Sequence, residues 1–158
     1  MNMTYTWKHA PLRYINDMAE NIIFIKKELP EITMPDDLRA YILYVCDQFD
    51  LALNDIRKEI ETRWSTIVDY EINKRNSEDA VKPIFENSFE FRKKFFTGAI
   101  LPLRKMVEDP EIETKKDDVD SILLMLVMES TTNILNSFNS MDNDMNILDA
   151  SYALESGN

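Results

Sequence analysis

The residue types that carry most enzymatic chemistry are scarce in this sequence. It contains one histidine, His9, and one cysteine, Cys46, with no Gly-x-Ser-x-Gly motif and no Glu followed by His three residues later. A Ser-His-Asp triad would depend on His9 alone, and a ferritin-like di-metal centre lacks its histidine ligands. Two glycines are too few for a P-loop or a Gly-x-Gly-x-x-Gly turn, because both need several residues without a Cβ atom. The sequence therefore predicts no enzyme of these classes.

Carboxylates are the reactive groups that remain, and two pairs of them share a helix side. Asp47 lies three residues before Asp50, and Asp117 lies three residues before Asp120. Acid–base catalysis by such a pair requires an apolar pocket that raises the pKa of one carboxyl group. Exposed carboxylates on a helix surface are the ordinary alternative. We expect no catalytic residue, no metal ligand and no cofactor, with a small carboxylate-dependent metal-binding enzyme as the alternative.

Negative charge is concentrated in the last part of the chain. Lys and Arg total 18 against 29 Asp and Glu, for a net charge of −11, and no Lys or Arg follows Lys116. A region of one sign attracts basic partners and accelerates their encounter. We expect an acidic docking surface for a basic protein, in which the carboxylates imitate nucleic-acid phosphates or simply complement the partner. Its predicted members are Asp117, Asp118, Asp120, Asp142, Asp144 and Asp149.

The same acidic residues have simpler interpretations. Asp117, Asp118 and Asp120 favour the N-terminus of a helix, where carboxylates complement the helix dipole. Asp142, Asp144 and Asn146 have the first three ligand spacings of a calcium-binding loop, but the required Gly and the bidentate Glu are absent from the later positions. A solvated acidic turn is the favoured interpretation of that segment.

A second candidate surface combines aromatic and basic residues in the segment 89–96. Such a mixture can stack nucleic-acid bases, but a net charge of −11 argues against phosphate binding, so we expect no direct nucleic-acid partner. Helical spacing places Phe89 and Phe96 on the core stripe, and Phe91 and Phe95 on roughly the opposite side. We expect Phe91 and Phe95 to form an apolar patch that faces a partner, and burial in a central helix is the alternative.

Helical periodicity dominates the sequence. The pattern of apolar residues, together with Pro30, the Thr33–Asp36 start signal, Gly98 as a C-cap and Pro102, divides the chain into helices. The predicted helices are 10–29, 34–75, 79–97, 101–108 and 118–140. The second would be one long helix of roughly 60 Å at 1.5 Å per residue, straight or bent, and a break into two helices near Arg63 is the alternative.

These elements predict an all-α fold, a helical bundle of four to five helices with mostly antiparallel neighbours. A length of 158 residues suits one domain, which we assign to 1–141. Residues 142–158 are expected to form an acidic C-terminal tail or a short helix. Pro11 is expected in the first turn of the first helix.

The predicted function is a non-catalytic, acidic protein–protein interaction module. An inhibitor, an immunity-type protein or an assembly adaptor would each bind a basic or apolar surface of a partner in this way. A structural subunit that forms a homodimer through its long helix is a further alternative. No apolar run is longer than the seven residues of Ile122–Met128, far fewer than a membrane span needs, and the N-terminus lacks the apolar core of a signal peptide. We therefore expect a cytoplasmic protein without a membrane partner, and the lone thiol is consistent with this.

Overall fold

A computed structural model describes residues 3–73, 88–108 and 121–155, with side chains described at 12–62, 89–108 and 125–147. Within these ranges every residue is helical except the connection at 32–35 and the turn at Glu108, and no strand is present. The elements are α1 (Met3–Glu28), a 3₁₀ turn (Leu29–Glu31), α2 (Asp36–Asn73), α3 (Ser88–Phe95), a π-helical segment (Phe96–Ile100), α4 (Leu101–Val107) and α5 (Ser121–Glu155). The predicted all-α fold is confirmed.

Contacts between side chains show that neighbouring helices are antiparallel. In each pair of helices, an earlier residue on one helix meets a later residue on the other. These contacts are Asn16–Arg57 and Lys26–Asp47 between α1 and α2, Tyr14–Asp144 and Asn21–Asn133 between α1 and α5, and Arg92–Asp142 and Phe96–Phe138 between the α3 region and α5. Because α1 and α3 are both antiparallel to α5, α3 is also antiparallel to α2. The described helices therefore form the predicted antiparallel bundle.

One buried stripe from each helix forms a continuous core. On α2 the buried positions repeat every three or four residues, as expected for the inward face of a helix. An aromatic layer occupies its middle, where the Phe95 ring lies 5.4 Å from Phe49 and 5.6 Å from Phe138, measured between centroids. The other core members include Ile15, Met18, Ile22, Ile25, Ile42, Val45, Cys46, Leu53, Ile56, Ile60, Leu103, Met106, Ile134, Met141 and Met145.

The first and last helices differ in extent from the sequence-based predictions, and the second agrees to within two residues at each end. The first helix begins at Met3, so Pro11 lies inside α1 rather than in its first turn. The second is a single helix of 38 residues, Asp36–Asn73, about 57 Å long. The last helix, α5, continues to Glu155, so the segment predicted as a tail or separate short helix extends the same helix through 142–155. The predicted start of the third helix, at 79, lies outside the described residues.

The helix predicted to end at Gly98 continues instead through a widened turn. The backbone N–H of Leu101 donates to the carbonyl of Phe96, five residues earlier, which is the hydrogen bond of a π-helix. Pro102 has no N–H and cannot donate to the carbonyl of Gly98, so the regular ladder has to adjust before it. Gly98 is thus helical and is not a C-cap. A Cβ atom placed there would meet nothing within 4 Å, so packing does not require a glycine.

The inward face of this helix is rotated by about one residue from the predicted stripe. Phe89, predicted to be core, is 57% exposed, whereas Phe95, predicted to face a partner, is only 3% exposed. The residue one turn before Phe95 is Arg92, which is 1% exposed and binds α5. The apolar pattern alone placed the stripe on Phe89 and Phe96 because it excludes arginine from core positions. Arg92 can occupy an inward position because its charge is paired with Asp142.

Candidate partner-binding surface

Asp142, predicted to contact a partner, is bound to a buried cation of the same chain. The Nη1 atom of Arg92 donates to Asp142 Oδ1 at 2.7 Å, to the Asp142 carbonyl at 3.0 Å and to Asn146 Oδ1 at 2.9 Å. Asp142 and Asn146 are one helical turn apart on α5, so both side chains reach the same guanidinium. The spacing suggestive of a calcium loop lies in a helix, and it holds an arginine.

Asp144 has a comparable role on the other side of α5. The Tyr14 hydroxyl on α1 donates to Asp144 Oδ2 at 3.0 Å. Burial raises the pKa of Tyr14 above 10, and the hydrogen bond to the Asp144 carboxylate raises it further. Residues two apart on a helix point about 200° from each other, so Asp142 contacts α3 while Asp144 contacts α1. The two carboxylates therefore join α5 to its neighbours and do not form one outward surface.

The remaining members of the predicted acidic surface are not brought together by these observations. Asp117, Asp118 and Asp120 lie outside the described residues. The backbone of Asp149 is part of α5, but its side chain is outside the described residues. The predicted docking role of these four residues stays a prediction.

Phe91 and Phe95 occupy different environments. Phe95 packs between Phe49 and Phe138 in the core, so it offers almost no surface to a partner, contrary to our expectation. Phe91 is half-buried at the edge of the core, on the side of α3 that faces α2. A groove of about 430 Å³ lies there between α2 and α3. Its lining residues are Ala52, Asp55, Ile56, Lys58, Glu59, Phe91, Lys94, Phe95 and Gly98.

The groove combines an apolar floor with a charged rim. Its floor is formed by Ile56, Phe91 and Phe95, and its rim carries carboxylates from α2 and a lysine from each helix. Gly98 widens one wall, because it has no side chain to fill the open space. Such a groove can hold an apolar side chain of a ligand while charged groups bind at its edges.

The outer face of α2, which we define as Tyr44, Leu51 and Asp55, adjoins this groove at Asp55. Its other two side chains are apolar. Tyr44 and Leu51 are each 62% exposed, and Asp55 is exposed and also lines the groove. Separations of seven and four residues keep all three on one side of the helix. Sequence analysis missed this surface, although Tyr44 and Leu51 fall opposite the buried stripe at 100° per residue. Two large apolar residues on the solvent-facing side of α2 could have indicated a binding surface.

The carboxylate pair Asp47 and Asp50 is bound by a lysine. Lys26 on α1 makes ion pairs with Asp47 and Asp50. Its Nζ atom lies 2.7 Å from Asp47 Oδ1. Hydrogen bonds to Asp47 and then Asp50 raise the pKa of Lys26. The neighbouring Cys46 is fully buried, and burial raises the pKa of its thiol to about 12. This pair stabilises the α1–α2 contact, and no feature of its geometry resembles a catalytic dyad.

The described parts of the chain contain no group of three or more His, Cys, Asp or Glu side chains placed to hold a metal ion. No helix in those parts is both long enough and apolar enough to span a bilayer. Comparison with known proteins gives no match to a family model, to a curated protein or to a solved structure.

Proposed function

We propose that the protein is a non-catalytic helical module that binds another protein through the outer face of α2 and the groove beside it. The observation that supports this proposal is the continuity of exposed Tyr44 and Leu51 with an apolar-floored groove of about 430 Å³. The proposed partner presents apolar side chains flanked by Lys or Arg. An inhibitor, an immunity-type protein or an adaptor would act by occupying such a partner surface.

The apolar part of the surface supplies the binding contacts. Tyr44 and Leu51 are two helical turns, about 10.5 Å, apart, and Asp55 follows one turn later at the groove. Exposed tyrosine is enriched among residues that dominate binding energy at interfaces, because its ring buries a large area at a low entropic cost. A partner segment lying along α2 would therefore contact Tyr44, then Leu51, and would place an apolar side chain in the groove.

The charge of the surface favours a basic partner. Between Ala40 and Ile56, α2 carries three carboxylates and no Lys or Arg. Lys26 binds two of them, Asp47 and Asp50, while the third, Asp55, lies at the rim of the groove. The net charge of −11 adds a long-range field that attracts cationic partners and falls with ionic strength. Charge thus controls the encounter, and the apolar contacts hold the complex.

The test compares two double variants with matched losses of apolar surface. Tyr44→Ser/Leu51→Ser removes the outer face of α2, and Ile23→Ser/Phe89→Ser removes two equally exposed side chains elsewhere. Both are exposed sites, so circular dichroism should show unchanged helicity. Immobilised wild type and variants are used to capture proteins from the source cells, with quantitative mass spectrometry at low and high salt.

We expect a stoichiometric partner that the wild type and the Ile23/Phe89 variant retain. The Tyr44/Leu51 variant should lose it by at least about tenfold, corresponding to ~1.4 kcal/mol. High salt should weaken capture of the same partner. Equal capture by both variants, or the absence of any partner at stoichiometric amounts, would contradict the proposal.

A further inference from the structure

We infer that the outward face of α5 is a self-association surface, on which two copies of the chain meet with their α5 helices antiparallel and Asn136 on the two-fold axis. We define this α5 face as Met125, Glu129, Thr132, Asn136, Asn139, Asn143 and Ile147. This inference does not depend on the proposed function, which uses a different face of the bundle.

The α5 face is a continuous, exposed seam. Its members follow one another at separations of four or three residues, the spacing that keeps side chains in line along a helix. All seven are exposed, with Met125 at 70% and Ile147 at 54%. The buried residues Val127, Ile134 and Phe138 lie on the opposite side of α5. The seam is about 33 Å long from Met125 to Ile147.

The charge on this seam identifies a second copy as the occupant. A chain with a net charge of −11 repels another copy of itself over most of its surface. Among the seven members of the α5 face, only Glu129 is charged, although 30% of the whole chain is charged. Contact through this face therefore adds little charge repulsion between two copies. A basic partner would gain little from it, since it offers a single carboxylate.

The sequence of the seam is also complementary to itself. Met125 and Ile147 are each eleven residues from Asn136, so an antiparallel pairing places Met125 of one copy against Ile147 of the other at both ends. The same pairing places Glu129 opposite Asn143, and Thr132 opposite the exposed Ser140. At the centre, the Asn136 carboxamides each offer donors and an acceptor and can bond to each other. Glu129, Thr132, Asn136 and Asn143 thus each meet a polar group that they can bind.

The area of the seam predicts a weak and reversible dimer. One pair of helices over about 33 Å buries less surface than a standard interface, and a polar seam contributes less than an apolar one. The polar residues fix the register of the pairing more than they add to its affinity, as asparagine does in coiled coils. We expect a monomer–dimer equilibrium that depends on concentration.

Disulfide crosslinking of single-cysteine substitutions tests both the face and its direction. Asn136→Cys lies on the axis and should crosslink readily to a second copy under mild oxidation. Met125→Cys should not, because its two copies would lie about 33 Å apart. A mixture of Met125→Cys and Ile147→Cys should give the mixed dimer. The control is Leu51→Cys, 62% exposed on α2, and the native Cys46 is buried in every variant.

We expect at least about tenfold more crosslinked dimer for Asn136→Cys than for Leu51→Cys, a ratio equivalent to ~1.4 kcal/mol. Equal yields for the two variants would overturn the inference, since they would report random collision only. Self-crosslinking of Met125→Cys as efficient as that of Asn136→Cys would overturn the antiparallel arrangement.

Sedimentation velocity over a concentration series provides the second measurement. Asn136→Asp places two carboxylates across the axis and should shift the protein to monomer, whereas Asn136→Gln keeps the carboxamide and should retain the dimer. Tyr44→Ser/Leu51→Ser should leave the dimer unchanged, which separates this inference from the proposed function. Loss of the dimer in the Tyr44/Leu51 variant but not in Asn136→Asp would assign self-association to α2 and refute the α5 face.

Discussion

Two cations in this bundle are bound in nearly the same way but in different surroundings. Arg92 on α3 is held by Asp142 and Asn146, one turn apart on α5, and Lys26 on α1 is held by Asp47 and Asp50, one turn apart on α2. The Arg92 side chain is 1% exposed, whereas that of Lys26 is 31% exposed. The largest difference between the two sites is the burial of the cation.

Burial changes what each interaction does for the protein. Water solvates Lys26 and its carboxylates whether or not they are paired, so the net gain from pairing is small. Arg92 has almost no access to water, so its charge depends on polar partners in the protein, which include the oxygens of α5. The exposed pair adds modest stability, and the buried pair fixes the position of α5 against α3.

The substitution Asp142→Ala should have the largest effect. It removes the carboxylate partner that α5 supplies to the buried Arg92 guanidinium, while the Asn146 side chain and the carbonyl of residue 142 remain. We expect the free energy of unfolding to fall by about 3 kcal/mol, the usual cost of removing one partner of a buried ion pair. Urea denaturation measures this as a lower midpoint at a constant m-value.

A second substitution separates the buried charge from the loss of contacts. In the Asp142→Ala background, Arg92→Met replaces the buried cation with a flexible apolar side chain. The double variant should be more stable than Asp142→Ala alone, because the buried cation that has lost its carboxylate is replaced by an apolar side chain. If the two losses simply add, burial of the Arg92 charge is not the cause of the instability.

These two sites also show how far the sequence could predict the structure. The bundle followed from the three- and four-residue spacing of apolar side chains, which also favoured one long helix at 34–75, close to the observed Asp36–Asn73. The α3 stripe was misplaced because Arg92 occupies an inward position. A sequence pattern treats arginine as solvent-exposed, and its partner Asp142 is 50 residues away. No local rule pairs two residues at that separation.

Of the candidate surface, Phe91 was predicted from the sequence, but Tyr44, Leu51 and the groove were not. The concentration of negative charge led to the prediction that Asp142 and Asp144 face a partner. Their actual contacts within the fold depend on where α1 and α3 lie. Tyr44 and Leu51 could have been recognised, since they interrupt the polar side of α2. The groove beside Phe91 could not, because it exists only where two helices distant in sequence come together.

The next largest effect concerns Cys46, which lies one residue before the exposed Asp47. Burial raises the pKa of its thiol to about 12 from 9.0, so the folded state requires the protonated thiol. Stability from this source is complete below pH 9 and is lost as the pH rises toward 12. Between pH 8 and 10.5, the wild type should lose about 2 kcal/mol more than Cys46→Ala, measured by urea denaturation. Parallel pH profiles would show that the thiol is hydrated in the folded state.

A smaller effect is expected where the acceptor is only half-buried. Tyr14→Phe removes the hydrogen bond to Asp144 without changing the ring, and should lower stability by about 1 kcal/mol. Tyr44→Phe is the matched control, since that hydroxyl is on an exposed side chain, and it should have no measurable effect. Because the pKa of Tyr14 is raised, its contribution is present below pH 10 and disappears above it. Equal effects at the two tyrosines would contradict a link between α1 and α5.

The smallest effect is expected at the exposed counterpart of Arg92. Lys26→Met keeps the aliphatic stem and removes only the charge, so stability should fall by less than about 1 kcal/mol. In 1 M NaCl the difference from wild type should shrink further, because salt screens an exposed pair but hardly affects a buried one. The loss caused by Asp142→Ala should be the same in both salts. Suppose instead that Lys26→Met lowers stability as much as Asp142→Ala does, and that salt changes neither loss. The exposure of the cation would then not control the stability that each site contributes.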